Sequence, residues 1–231
     1  MYKIFEQFDI NSFQYINDSC NSIVPQSVYM SDKAHIHQTH DSIAIDFIKG
    51  LHEPVLRYQF NLSSLHAFGN GRHPTTYMCL ALLAETLHIR IKKIIGDVRM
   101  LDVGTGTGIL AIAAHCMGVG HIDAFDASVQ AYECALQNSK GRNNINLSCC
   151  DIESFTSHSV YDCVTANLMT SLILKNTKRL SDLLSTEGYL IVSGILDEKR
   201  MQVITAFGQK GLTLKDEQTS QGWFAGVFQK V

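Results

Sequence analysis

Three prolines in 231 residues leave no Pro-rich linker. Charged residues are only 18% against 45% hydrophobic ones, which excludes a disordered chain. There is no excess of basic charge. The net charge is −3 and the pI about 6.3, which argues against a dedicated nucleic-acid binder. The small basic group Arg90, Lys92 and Lys93 reads as the solvated end of a helix. No apolar run reaches the roughly 18 residues that span a membrane. The first residues, Met-Tyr-Lys-Ile-Phe-Glu-Gln-Phe-Asp, carry early acids and no apolar signal-type core. No Cys-x-x-Cys occurs, and 7 cysteines is an odd number. Cys79, Cys116 and Cys163 lie in apolar runs, so reduced buried thiols in a cytoplasmic protein are expected rather than a disulfide framework. Cys149 and Cys150 are adjacent, an arrangement that rarely bridges, and read as a strand end.

What is present begins to order itself after residue 65. The length suits one substantial domain plus an extension. Residues 1–65 are polar and short-patterned. Within them Val55 to Phe60 alternates as a strand, and Asp41 to Leu51 is expected to form a short helix. Residues 66–231 are the expected catalytic domain. Pro74 suits the first position of a helix whose Leu80, Leu83 and Leu87 share a face. Strands are expected at Val98–Val103, Ile122–Phe125, Ile145–Cys149, Asp162–Ala166 and Tyr189–Ser193. Helices are expected at Ile109–Met117, from the Ser128 cap to Asn138, at Met169–Leu184 and at Asp197–Gly208. Leu212–Lys215 and Trp223–Phe228 close the chain as an antiparallel pair, with Trp223 and Phe224 as core residues. This alternation predicts an α/β fold with a doubly wound, seven-stranded, mostly parallel sheet. Ligands on such sheets bind beyond the carboxyl ends of the strands.

The first long strand feeds Asp102-Val-Gly-Thr-Gly-Thr-Gly108. A glycine-rich turn before a helix N-terminus lets backbone approach a ligand closely. A dinucleotide fingerprint would place a small residue where Ile109 stands. The Gly-x-Gly-x-Gly spacing after Asp102 points instead to S-adenosylmethionine, whose amino-acid end an acid can meet. Asp126, some 20 residues past the glycines, is placed for ribose hydroxyls, or else to cap the next helix. Asp151 follows the third strand, as an acceptor for an adenine amine or as an ordinary loop acid. Asn167 ends the fourth strand, as an acceptor in the cleft or as a helix N-cap.

Four segments now resemble one family, the bacterial ribosomal protein L11 methyltransferases (PrmA), which trimethylate amines. His66-Ala-Phe-Gly-Asn-Gly-Arg-His-Pro-Thr-Thr76 is similar to that family's Phe-Gly-Thr-Gly-x-His-Pro-Thr-Thr. Leu101 to Ala114 is similar almost throughout, as are Ala166-Asn-Leu168 and Ser193-Gly-Ile-Leu196. The resemblance runs from about Leu65 to the C-terminus. It implies a class I Rossmann-like methyltransferase in which Thr76, Gly104, Gly106, Asp126 and Asn167 contact the cofactor. Phe68 and the loop from Gly69 to His73 would wrap its methionine end. Asn70 stands where the family has threonine, and bulky Arg72 sits in the same loop. The family's separate substrate-recognising domain has no evident counterpart in residues 1–65.

The implied activity is N-methylation of an amine, either a protein lysine or an N-terminal amine. The alternatives are a small-molecule N-methyltransferase with residues 1–65 as a lid, and a non-catalytic S-adenosylmethionine-binding module. Methyl transfer needs chiefly alignment, worth roughly 7–11 kcal/mol, and a neutral amine. Asn167 is the candidate that orients the amine, with His73 the second catalytic candidate. No nucleic-acid or membrane partner is expected. His35, His37 and His40 form a histidine cluster without a completing cysteine or acid, so a solvated loop is expected there rather than a metal site.

Overall fold

The computed structural model describes residues 14–16, 34–38, 42–47, 56–62, 67–69 and 71–231. Among the described residues four strands precede the glycine loop: β1 (Gln14–Ile16), β2 (Ala34–Gln38), β3 (Ser42–Phe47) and β4 (Leu56–Asn61). They form one sheet in the order β1-β4-β3-β2. The expected strand near Val55–Phe60 is β4. The expected helix at Asp41–Leu51 is not formed, because residues 42–47 are strand β3, paired with both β2 and β4. Its Ile43 and Ile45 alternate onto one face and are buried, a period-two pattern that a helix would break. His35 and His37 belong to strand β2 rather than to the expected loop; their side chains and His40 lie outside the described residues.

The second sheet carries the glycine loop. Its elements are α1 (Pro74–Glu85), β5 (Arg99–Val103), α2 (Ile109–Cys116), β6 (His121–Asp126), α3 (Val129–Asn138), β7 (Ile145–Cys149) and β8 (Tyr161–Asn167). Then come α4 (Thr170–Lys175), α5 (Thr177–Asp182), β9 (Leu184–Leu196), α6 (Arg200–Gly208), β10 (Leu212–Ser220) and β11 (Trp223–Lys230). The order is β10-β11-β9-β8-β5-β6-β7, and β11 alone runs against its neighbours. This is the doubly wound, seven-stranded sheet that the pattern predicts. The chain steps outward from β5 in both directions, so the switch point lies at the glycine loop.

Alternate residues of β5 supply two cores. Met100 packs with α1, α2 and the first sheet through Leu80, Ile112, Ile45 and Phe60. Leu101 and Val103 pack on the other face with Leu180, Val203 and Phe207. The first sheet is therefore part of the molecule's main core. Glu85, at the end of α1, accepts a bond from the Ala34 backbone N–H at 2.9 Å, and the rings of Tyr58 and His88 stack at 5.4 Å.

The expected Met169–Leu184 helix is two helices separated by Asn176. That residue adopts φ −109° and ψ 18°, and its side-chain amide donates to the Leu172 carbonyl at 2.9 Å. Leu184 already belongs to β9. The helix expected from Asp197 begins as a 3-10 turn, Asp197–Lys199, before α6. Among the described residues no helix is long and apolar enough to cross a membrane, and no cluster of three His, Cys, Asp or Glu is arranged to hold a metal.

Candidate functional site

A cavity of about 590 Å³ opens at the carboxyl ends of the strands, from β7 across β6, β5, β8 and β9 to β11. Its floor is the turn after β5. The backbone N–H groups of Gly104 and Thr105 both donate to the Phe125 carbonyl at 2.9 Å, which anchors the turn to β6. Asp102 holds it from behind. Its buried carboxylate accepts the hydroxyls of Thr105 and Thr165, each at 2.7 Å. Those bonds favour the ionised form, but burial outweighs them and pushes the carboxyl up to about 6. Asp102 does not line the cavity.

Gly106 is constrained by protein rather than by ligand alone. Its φ is +57°, and a Cβ there would lie 2.2 Å from the Phe68 carbonyl oxygen. The segment around Phe68 is thus clamped onto the glycine turn. Thr107 donates its N–H to the Phe68 carbonyl at 3.0 Å and its hydroxyl to the Gly69 carbonyl at 2.6 Å. Arg72 is exposed on this loop, and Asn70 lies outside the described residues.

Of the three acids expected to meet the cofactor, Asp126 and Asp151 line the cavity and Asp102 does not. Asp126 accepts the Gly106 N–H on Oδ2 and the Ser128 N–H on Oδ1, each at 2.9 Å. The helix cap is Ser128, whose hydroxyl accepts from Ala131 at 3.3 Å, so Asp126 is not needed for that task. Asp151 accepts from the Glu153 N–H and from both the N–H and hydroxyl of Ser154 on Oδ1. The Ser154 bonds come first among the causes that hold this carboxyl below its ordinary value.

Asn167 ends β8 against the cavity. Its amide N–H reaches the buried Thr76 hydroxyl at 3.4 Å, and its Oδ1 is buried with no hydrogen-bond partner. It does not cap α4, whose cap residue is Met169. Buried acceptors are nearly always satisfied, so this oxygen, on a residue that lines the cavity, is left without the partner such an acceptor ordinarily has. Thr76 stands behind Asn167 and does not itself line the cavity. His73 caps α1, with Nδ1 2.8 Å from the Thr75 hydroxyl. Ser193 donates its hydroxyl to the Thr75 carbonyl at 2.9 Å, tying the end of β9 to the same helix start. Gly194 follows with φ +80°, where a Cβ would meet the Leu168 carbonyl oxygen at 2.3 Å.

Trp223 is the residue that sequence reasoning misplaced. It is only half-buried, and it lines the cavity beside His73, with ring centroids 5.2 Å apart. Phe224, next to it, is the core residue of the pair. No local pattern links the first residue of β11 to the loop before α1. The pairing of Trp223 with Leu196, the last residue of the Ser193-Gly-Ile-Leu196 segment, makes the connection. Leu168, Met169 and Gly194 also line the site. Among the described residues, none before Ala67 does so.

The family described as ribosomal protein L11 methyltransferase (PrmA) matches residues 57–231. A ribosomal protein L11 methyltransferase from Dictyoglomus thermophilum is 36% identical over 162 residues, 70% of this chain and 51% of that protein. One from Bacillus pumilus is 33% identical over 167 residues, 71% of this chain and 51% of its own length. The chain spans about half the length of the curated relatives it matches. Among solved structures, a ribosomal protein L11 methylase from Lactobacillus delbrueckii superposes with a TM-score of 0.59 at 25% identity, over 70% of this chain and 81% of the other. The N-methyltransferase NodS from Bradyrhizobium japonicum, in complex with S-adenosyl-L-homocysteine, shares the fold. Its TM-score is 0.58 at 16% identity, over 73% of this chain and 94% of that one.

Proposed function

We propose, from the premise that this chain belongs to the ribosomal protein L11 methyltransferase family, that it transfers methyl groups from S-adenosylmethionine to amines of a ribosomal protein of the L11 type. The observation that carries this reading is the buried, unpartnered Oδ1 of Asn167, a residue that lines the cavity beside the glycine turn. When bound, S-adenosylmethionine supplies a methyl group on a positive sulfonium. The cavity has the size of an ordinary cofactor site. An ionised carboxylate offers about four acceptor positions, so Asp126 retains capacity for ribose hydroxyls beyond its two N–H donors. Asp151 faces the adenine end, and Phe68 with the loop to His73 closes the methionine end.

The acceptor must reach the cavity as a free amine. An unperturbed lysine has a pKa of about 10.4, and a low-polarity site lowers it. Asn167 orients such an amine by accepting one of its hydrogens and leaves the nitrogen lone pair for the methyl carbon. His73 sits in the same wall and shapes it. A protein acceptor is favoured over a lidded small molecule, because the relatives at 36% and 33% identity are named for a protein substrate. A ribosomal acceptor places the reaction in the cytoplasm, where the free thiols of Cys79 and Cys163 are at home.

Incubating the protein with methyl-labelled S-adenosylmethionine and purified ribosomal protein L11 tests this. Label on L11 amines is the expected result. Label on added free amines with none on L11 would replace this reading with the small-molecule one.

A further inference from the structure

The cavity is divided by charge along the sheet. Its carboxylates, Asp126 and Asp151, belong to the β6–β7 side. The opposite side, over β8, β9 and β11, is lined by Asn167, Leu168, Gly194 and Trp223, with Phe68 and His73 facing them from the loop before α1. No carboxylate lines that half among the described residues. Resting on the reading above, the geometry points to an alkylammonium-binding wall: Phe68, His73 and Trp223, with the Asn167 Oδ1, hold the acceptor amine and its methylated forms through aromatic rings and an amide oxygen instead of a carboxylate.

Three observations carry this. The rings form one continuous set, with Phe68 to His73 at 5.5 Å and His73 to Trp223 at 5.2 Å. Both meetings are steep, at 61° and 69°, so Phe68 and Trp223 are not stacked flat on His73. Phe68 is 58% exposed, a large apolar ring left at the mouth of a cavity. A ring face attracts a cation lying within about 6 Å of its centre. The attraction is best used by alkylated ammonium, which is less hydrated than a primary one.

The chemistry also requires a neutral wall. A carboxylate beside the acceptor would favour its protonated form and remove the lone pair that must attack. Aromatic rings attract the cation that forms on transfer without holding a proton on the amine that precedes it. A mono- or dimethylated amine can then stay in place, lose a proton to water and be methylated again.

The protein reports on this wall directly, because Trp223 is its single tryptophan. The experiment titrates Nε-trimethyl-lysine, blocked as its N-acetyl methylamide, and follows Trp223 emission with and without S-adenosylhomocysteine. The unmethylated lysine derivative and the uncharged tert-butyl isostere are titrated alongside. The trimethylated probe should change the emission and bind about tenfold more tightly than either control. By calorimetry, Trp223→Ala should weaken that probe about tenfold and Trp223→Phe about two- to threefold. S-adenosylhomocysteine affinity should stay within twofold in both variants. Equal binding of the charged probe and its neutral isostere would overturn the inference, as would undiminished affinity in Trp223→Ala. If Trp223→Ala fails to bind S-adenosylhomocysteine, Trp223→Phe and the charged-against-neutral comparison decide. Charge-selective binding without methylation of L11 would sink the proposed acceptor and leave the wall standing. Methylation of L11 without charge selectivity would do the reverse.

Discussion

Asp102 is a carboxylate placed where water cannot reach, and its two threonine donors do not fully offset that burial. Its carboxyl lies at about 6 in the folded protein against 3.8 when unperturbed. The folded state therefore binds more protons than the unfolded one between those values. Stability from this group is present below about pH 4 and is lost as pH rises towards about 6, at about 3 kcal/mol in full. Replacing it with Asp102→Asn should remove that slope. Urea unfolding at about pH 4 and about pH 7 should show the variant gaining about 2–3 kcal/mol on wild type at the higher pH. A difference that does not vary with pH would contradict the assignment. Asn167 makes the opposite kind of prediction, about turnover. Asn167→Ala should lower kcat/KM for L11 about 10- to 100-fold, the size of one hydrogen bond to a group that gains charge. The chain advertises Asn167 by its place at a strand end. It does not advertise that one amide atom is held by Thr76 while the other is left for a ligand, because that depends on the first turn of α1 lying against β8.

Among the elements, β3 shows where short patterns mislead. Ser42-Ile-Ala-Ile-Asp-Phe47 is too brief for periodicity alone to separate strand from helix. Pairing on both sides decides it, with Ile45 opposite Ile36 and Tyr58. Ile45 is fully buried among residues of α1, α2 and β4. Ile45→Ala should cost about 2–4 kcal/mol in urea unfolding and leave S-adenosylhomocysteine affinity unchanged, since no described residue of that sheet lines the cavity. A loss of affinity measured in the folded variant would show that the two regions are coupled. The break between α4 and α5 has a similar origin. The apolar spacing continues through Asn176, but its side chain caps the preceding turn and the chain changes direction.

For the whole molecule, the consequence is a cavity that crosses the crest of the sheet with its charge on one side only. A ligand that binds only the folded state at about 100 times its dissociation constant adds about 2.7 kcal/mol. S-adenosylhomocysteine at that level should raise Tm by about 5–11 °C for a chain of this size. Asp126→Ala should abolish most of the rise and Trp223→Phe should keep it, as read by calorimetry or thermal-shift measurement. Loss in both would mean that the two halves of the cavity do not act separately. What the sequence by itself determined is everything set by local spacing: the βαβ alternation, the helix starts at Pro74 and Ser128, the glycine turn, and the acids and amide at three strand ends. Those features are covalently close, so their geometry follows from backbone rules. Tertiary structure alone decided the rest. It set Asp102 behind the turn, packed Phe68 against Gly106, put the first sheet into the main core, and brought Trp223 from the last strand to His73. Such contacts join residues far apart in the chain, and packing across the sheet is what selects them.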